Sequence, residues 1–307
     1  MTSASDQARA LSTSAGVRAR DDLTLVHVRG DDRVSWLNGQ ITNDVREMTR
    51  GEGVYALAVT VRGKIMADVW ALDRGDELAL LLPESARAAV LESFERQIIM
   101  EDVELATDHA LRVISVQGPR AAEVAREAGL EAHRCDELGA GGVFVLLDAA
   151  ARDDGLQRLL AAAERAGGRE VEQSGFELAR LRAGRARFGA DFSDQNYPQE
   201  AGLKSLAVSF NKGCYLGQEV VCTLENRGRL SRSLVRLEAD GALELPRGTE
   251  LRDAQDHAIG HVTSSAIDGE RGVALALGYV KSAHADAGAR VRAGDRELRV
   301  VARVGAD

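Results

Sequence analysis

From Leu230 onward the chain holds only short strand-like runs, at 234–237, 249–252, 259–263, 273–280, 289–291 and 298–304, divided by Gly, Asp and Pro. No helix-length apolar period crosses this stretch. Runs of that kind bury an apolar face only by closing on one another, so residues 229–307 are expected to form a separate small barrel or sandwich. At 307 residues the chain also exceeds what one hydrophobic core usually holds, and two or three domains are expected.

The preceding part mixes helix and strand periods. Residues 23–28 read as a strand, and Asp31 or Asp32 then caps a helix whose apolar positions Val34, Leu37, Ile41 and Val45 recur at three or four. Gly39 inside that helix costs about 1 kcal/mol of propensity, which predicts close packing on its face. Residues 54–61, 64–72 and 77–82 alternate as a β-meander around Arg62-Gly63 and 73–76. Pro83 opens an amphipathic helix with Ala86, Val90, Phe94 and Ile98 at intervals of four. A second strand-and-helix pattern begins at Leu111, with Pro119 near the first turn of its helix, a strand at 143–147 and a helix ending near Gly167. Ser174 and Glu177 have the spacing of a capping box. Arg180, Arg182, Arg185 and Arg187 follow, read as a mostly solvated face from which one guanidinium directed inward pairs with a ligand carboxylate. Together these are α+β domains.

Chemistry-bearing residues concentrate at 209–229, SFNKGCYLGQEVVCTLENRGR. Alternation at 206–210 and the β-prone run at 220–224 predict two strands, with 212–219 a turn between them. Gly213 and Gly217 bracket Cys214 and would present its thiol, unless the cysteine is a small core residue of a glycine-rich hairpin. In an extended segment Lys212 and Cys214 share a face about 7 Å apart, where an ammonium favours the thiolate. Gln218 and Glu219 add an amide and a carboxylate.

Net charge and cysteine usage narrow the function classes. A formal charge of -9 argues against general nucleic-acid binding, which needs an extended basic surface. Cys135, Cys214 and Cys222 form no disulfide framework and no CxxC spacing, as in a reducing compartment. His257 and His261 lie in a strand context with no helical face, so no metal site is expected there. The first twenty residues hold no apolar segment of signal-peptide length and no membrane-spanning run follows, giving the expectation of a cytoplasmic protein.

The octapeptide KGCYLGQE at 212–219, the segment YPQEAGLKSLAVSFN leading into it and WLNGQITNDV at 36–45 resemble the YgfZ branch of the folate-binding superfamily that contains the glycine-cleavage T-protein, an aminomethyltransferase. The resemblance spans nearly the whole chain. It implies an α+β architecture of three domains around a central channel, with a C-terminal all-β barrel. The first domain would comprise 1–49 and 111–200, the second 50–110 and 201–228, and the barrel 229–307. It implies tetrahydrofolate or a derivative as ligand, held by Asn43, Asp68, Arg180, Glu200 and Gln218. A signature loop of Gly213, Tyr215, Gly217, Gln218 and Glu219 would carry Cys214 as functional thiol, with Lys212 beside it. The implied role is support of iron–sulfur cluster assembly, maintenance or repair by a monomer whose partners are iron–sulfur assembly proteins or client enzymes.

Departures from the T-protein bear on catalysis. T-proteins carry an aspartate in place of Cys214 and a glutamate that holds the pterin in a GYTGE-like segment, whereas the matching stretch here, GAGGVFV at 139–145, has no carboxylate. The acidic pair of their catalytic strand is reduced to Ala67-Asp68. No classical turnover is therefore expected. The alternatives are an aminomethyltransferase acting on a lipoyl-carried amine, or a folate-binding scaffold that does not use the thiol.

Overall fold

The computed structural model describes residues 3–242 and 244–306. Helix α1 (Ala4–Thr13) precedes strands β1 (Gly16–Ala19) and β2 (Leu23–Arg29) and helix α2 (Arg33–Gln40). The meander β3 (Gly53–Val59), β4 (Ile65–Asp73) and β5 (Leu78–Pro83) leads into α3 (Arg87–Glu95) and β6 (Glu104–Asp108). Next come β7 (Arg112–Gln117), α4 (Ala121–Glu127), β8 (His133–Arg134), β9 (Gly142–Leu147), α5 (Arg152–Arg165), β10 (Arg169–Glu170) and α6 (Gln173–Ala183). Two short helices, α7 (Lys204–Ala207) and α8 (Gln218–Arg227), flank the signature loop. The final strands are β11 (Arg232–Asp240), β12 (Glu250–Arg252), β13 (Ala258–Asp268), β14 (Val273–Lys281), β15 (Arg290–Ala293) and β16 (Arg296–Arg303).

These elements make two five-stranded sheets and a closed six-stranded barrel. One sheet runs β3-β4-β5-β2-β6, all antiparallel, and buries one face under α2 and α3 through Trp36, Leu37, Val90 and Phe94. The other runs β10-β1-β7-β9-β8, with α4 and α5 packed on Val17, Ile114, Val116 and Val145. Closure removes the exposed edges that six short strands would otherwise leave. Helices α1 and α6 pack together, and their apolar faces meet Leu234, Leu275 and Leu277 of the barrel in a shared core.

Several sequence expectations change. The sheets divide the chain differently from the anticipated 1–49 plus 111–200: β2 pairs with β5 and β6, so 23–40 belongs with the meander, and only α1 and β1 of the opening segment join the 111–170 sheet. The strands expected at 206–210 and 220–224 are absent. Ser209 does not extend a ladder; its N–H bonds the Thr42 carbonyl. Residues 218–227 are helical, with Val221 fully buried and Gln218, Val220, Cys222, Leu224 and Glu225 half-buried around it, so packing overrides the β-branched pair Val220-Val221. The Ser174–Glu177 capping box does not form, because α6 starts earlier and Glu177 faces Arg180 and Arg187 instead. A Cβ on Gly39 would meet nothing within 4 Å, so its value is not close packing; its carbonyl accepts the Leu216 N–H at 3.0 Å. Among the described residues no helix is long and apolar enough to cross a membrane.

Candidate functional site

A cavity of about 970 Å³ lies where the two sheets, α6 and the barrel meet. Its floor follows from strand alternation: on β4, Ala67, Val69 and Ala71 face the core under α2 and α3, which sends Asp68 and Trp70 to the opposite face, into the cavity. Tyr55 on β3 is paired directly across from Trp70, with ring centroids 5.0 Å apart, and its hydroxyl donates to Asp68 Oδ2 at 3.0 Å. Burial pushes the Asp68 carboxyl up to about 6, against the Tyr55 bond and the nearby Arg20 charge. Burial likewise pushes the Tyr55 phenol well above its usual range. Asp68 Oδ1 accepts no side-chain hydrogen bond among the described residues, and the carboxyl ionises near 6.

A second carboxylate reaches the wall from the segment between β8 and β9. Glu137 is paired with Arg20 and accepts from the Ser115 hydroxyl, while its own N–H bonds Gln117 Oε1 at 2.9 Å. Arg20 also grips both oxygens of Asp22, at 2.8 and 2.9 Å. Beside it, Asp136 caps the glycine-rich turn by accepting the N–H groups of Leu138, Gly139 and Gly141. The stretch at 139–145 lacks a carboxylate, as expected, but Glu137 just before it supplies one to the same cavity. Its signal was present in the sequence, as an acidic pair immediately ahead of a glycine-rich turn.

The residues expected to hold a ligand separate into two groups. Asp68 and Arg180 line the cavity; Asn43, Glu200 and Gln218 do not. Arg180 is only 2% exposed and its guanidinium is fully committed, to Glu177, Asp191, the Arg185 carbonyl and the Ser264 hydroxyl, so it joins α6 to the barrel. Glu200 pairs with Arg232 and accepts the Tyr197 N–H, fastening the segment before α7 to β11. Asn43 donates to the Tyr55 carbonyl at 2.9 Å. Gln218 opens α8.

The signature loop is elsewhere, at the C-terminal end of α2. Cys214 is exposed, Cys222 half-buried and Cys135 buried, so the core-residue alternative for Cys214 does not hold. Lys212 corrects a different expectation. Its ammonium does not flank the thiol; it is buried and donates to the carbonyls of Asn38, Ile41 and Asn43 at 2.6, 2.8 and 2.7 Å, at the C-terminal end of α2, where a helix leaves carbonyls unpaired. Desolvation lowers Lys212 to about 8, with Asp44 opposing. The Ser209 and Leu216 N–H groups bond the carbonyls of Thr42 and Gly39, so both ends of the loop are sewn to the turn after α2. Tyr215 is buried and Glu219 is exposed. Gly217, at φ +77°, sits where a Cβ would lie 2.3 Å from the Thr60 carbonyl; Gly213 has open space around it. The two sequence motifs, 36–45 and 212–219, are thus the two halves of one clasp, with Cys214 at its outer edge.

Comparison with known proteins agrees with this architecture. Residues 1–138 match the family described as GCVT N-terminal domain, and residues 232–306 match the glycine cleavage T-protein C-terminal barrel domain, together well over half of the chain. The chain is 29% identical over 241 residues to the tRNA-modifying protein YgfZ of Escherichia coli O7:K1, covering 75% of this chain and 73% of that protein. The Yersinia pseudotuberculosis protein of the same name is 29% identical over 240 residues, covering 75% and 72%. In fold the chain is similar to the glycine cleavage system aminomethyltransferase T of Bartonella henselae, with a TM-score of 0.85 at 22% identity over 97% of this chain and 88% of that one.

Proposed function

Because the chain belongs to the glycine-cleavage T-protein-like family, in its YgfZ branch, we propose that it is a tetrahydrofolate-binding factor supporting assembly, maintenance or repair of iron–sulfur clusters, with Cys214 as its functional thiol. The observation that carries this reading is the separation of its two chemistries. The cavity has a carboxylate floor and aromatic walls, whereas the only exposed cysteine among the described residues is absent from its wall.

The residues present suit a reduced folate. A pterin edge offers adjacent N–H donors, which a half-buried carboxylate accepts; Asp68 is that group, and Glu137 lies on the same wall. Trp70 and Tyr55 offer flat apolar surface for the ring. When bound, the folate supplies a one-carbon unit or reducing equivalents. The chain's own part is to hold the ring, keep Asp68 close to its ionisation point and present Cys214 outward to a macromolecular partner. An exposed thiol can exchange with a disulfide or ligate iron, and either use meets iron–sulfur assembly proteins or client enzymes at the surface. The relatives are named tRNA-modifying proteins. For this chain, net charge -9 favours an indirect route, through client enzymes, over contact with nucleic acid.

The reading is tested in two measurements. Calorimetry should show saturable tetrahydrofolate binding that weakens in Asp68→Ala; no heat and no stabilisation at millimolar ligand defeats the folate assignment. In cells lacking the native protein, Cys214→Ser should fail to restore iron–sulfur enzyme activity while Cys135→Ser and Cys222→Ser succeed. Full rescue by Cys214→Ser leaves only the thiol-independent scaffold. Robust formation of methylene-tetrahydrofolate from an aminomethyl-lipoyl carrier would instead establish the aminomethyltransferase.

A further inference from the structure

Basic side chains from four parts of the chain converge on the outer face of the barrel, where it meets the meander. Lys64, just before β4, and Arg232, which opens β11, both donate to the Gln195 carbonyl, at 2.7 and 3.2 Å. Lys281, at the end of β14, stands directly opposite Arg232 in the ladder. Two residues back on the same face is Tyr279, with His261 of β13 opposite it. Arg232 Cζ lies 5.0 Å from the Tyr279 ring centroid and the His261 ring centroid 6.0 Å from it, while the Lys64 ammonium sits 3.8 Å over the Tyr197 ring.

The fold does not neutralise this cluster. Like charges opposite one another in a ladder are destabilising, and two cations on one carbonyl repel. Among the described residues Glu200 is the only carboxylate bonded to any of the four, and it is buried between Arg232 and the Tyr197 N–H. Lys64, Lys281 and His261 have no carboxylate partner there, and Lys281 is exposed. Desolvation, and then the charges of Arg232 and Arg247, hold His261 below its ordinary value, as expected where positive potential accumulates.

We propose that this face docks an acidic segment of the protein partner that Cys214 serves, with carboxylates of that segment held between Lys64, Arg232 and Lys281. The inference rests on the thiol reading given above for the identity of the partner. Charge complementarity selects a protein segment over a nucleic acid. The cluster is compact and its rim is acidic, with Asp194 exposed beside Gln195 and Glu250 exposed opposite His261, in a chain of net charge -9. An evenly charged polyanion would meet that rim, whereas a protein can concentrate its carboxylates where the cations are. The position suits the thiol as well. Gly63, beside Lys64, lies where a Cβ would be 3.1 Å from Val220 of α8; Arg232 opens the element after that helix, and the Cys214 loop leads into it.

The test is fluorescence anisotropy of the full chain with a labelled peptide rich in Glu and Asp and with a labelled oligouridylate of equal charge, at low salt and at about 0.5 M salt. The peptide should bind more tightly than the oligouridylate and weaken about tenfold or more at high salt. Lys64→Glu/Lys281→Glu should weaken it about tenfold or more, while Arg96→Glu/Arg126→Glu, the same change of charge beside α3 and on α4, should leave it within about twofold. Urea midpoints check that both variants are folded. The docking site is refuted if the peptide does not bind, if the lysine variant binds it as the wild type does, or if the arginine variant loses as much. Tighter binding of the oligouridylate, lost in the lysine variant, refutes the acidic segment in favour of nucleic acid. In cells lacking the native protein, Lys64→Glu/Lys281→Glu should fail to restore iron–sulfur enzyme activity although its Cys214 alkylates at the wild-type rate. Full restoration refutes docking and leaves the thiol reading intact; full restoration by Cys214→Ser instead sinks the thiol reading, and with it the partner named here.

Discussion

Asp68→Asn should stabilise the ligand-free protein at neutral pH. A carboxyl that ionises near 6 in the folded chain and near 4 in the unfolded one binds more protons when folded across that interval, so stability is lost as pH rises from about 4 to 6. The full difference costs the folded state roughly 3 kcal/mol at pH 7. Asp68 is half-buried on a cavity wall that water can reach, which trims the expected gain in the variant to about 1–3 kcal/mol. The amide oxygen of Asn can still accept the Tyr55 hydroxyl, so little else is disturbed. Urea denaturation followed by tryptophan fluorescence suits the purpose, because the chain's two tryptophans, Trp36 and Trp70, both lie in the body built on the β3–β6 sheet. The variant's midpoint should exceed the wild type's at pH 7 and converge with it at pH 4. No gain at pH 7, or a gain that persists unchanged at pH 4, would refute burial of an ionised carboxylate as the cause.

Lys212→Met should destabilise the same body by roughly 2–4 kcal/mol, since it strands three buried carbonyls at the end of α2; a midpoint unchanged within error would show that water replaces the ammonium without loss. Because burial lowers Lys212 to about 8, below its unfolded value, the unfolded chain binds the extra proton between about pH 8 and 10.5, so wild-type stability should rise over that range relative to Lys212→Met. Gly217→Ala should cost at least about 2 kcal/mol through positive φ and the clash with the Thr60 carbonyl, while Gly213→Ala should stay within about 0.5 kcal/mol; equal costs would contradict the loop geometry. Asn43→Ala should weaken any effect of bound folate on the alkylation rate of Cys214 by iodoacetamide, and an undiminished effect would show that the signal bypasses Asn43.

How much of this was legible in the sequence depended on whether local pattern or distant partners decide the outcome. The barrel, the meander and α3 follow from period and turn residues alone, and the structure contains all three. Residues 220–224 read as a strand because Val220 and Val221 favour one locally, whereas the burial of Val221 has value only when a helix carries it against the rest of the fold. Lys212 misled for a related reason: a strand places it beside Cys214, but its three acceptors lie about 170 positions earlier in the chain. The role of Glu137 depends on Arg20 and Ser115, which only the sheet order brings to it.

Asn43, Asp68 and Lys212 share one hydrogen-bonded path that no local pattern could reveal. Tyr55 donates its hydroxyl to Asp68 on the cavity floor and accepts at its carbonyl from the Asn43 side chain; the Asn43 carbonyl accepts from Lys212, two residues before Cys214. A second link runs through the β3–β4 hairpin, whose far end touches the loop where Gly63 meets Val220 and Thr60 meets Gly217. A ligand that recruits Asp68 or shifts Tyr55 therefore pulls on the strand whose backbone positions the clasp. Displacements along a part-buried chain of hydrogen bonds are passed from one link to the next where each link is a direct bond between packed groups. Cavity and thiol face different surfaces, and this path gives occupancy of one a physical route to the presentation of the other.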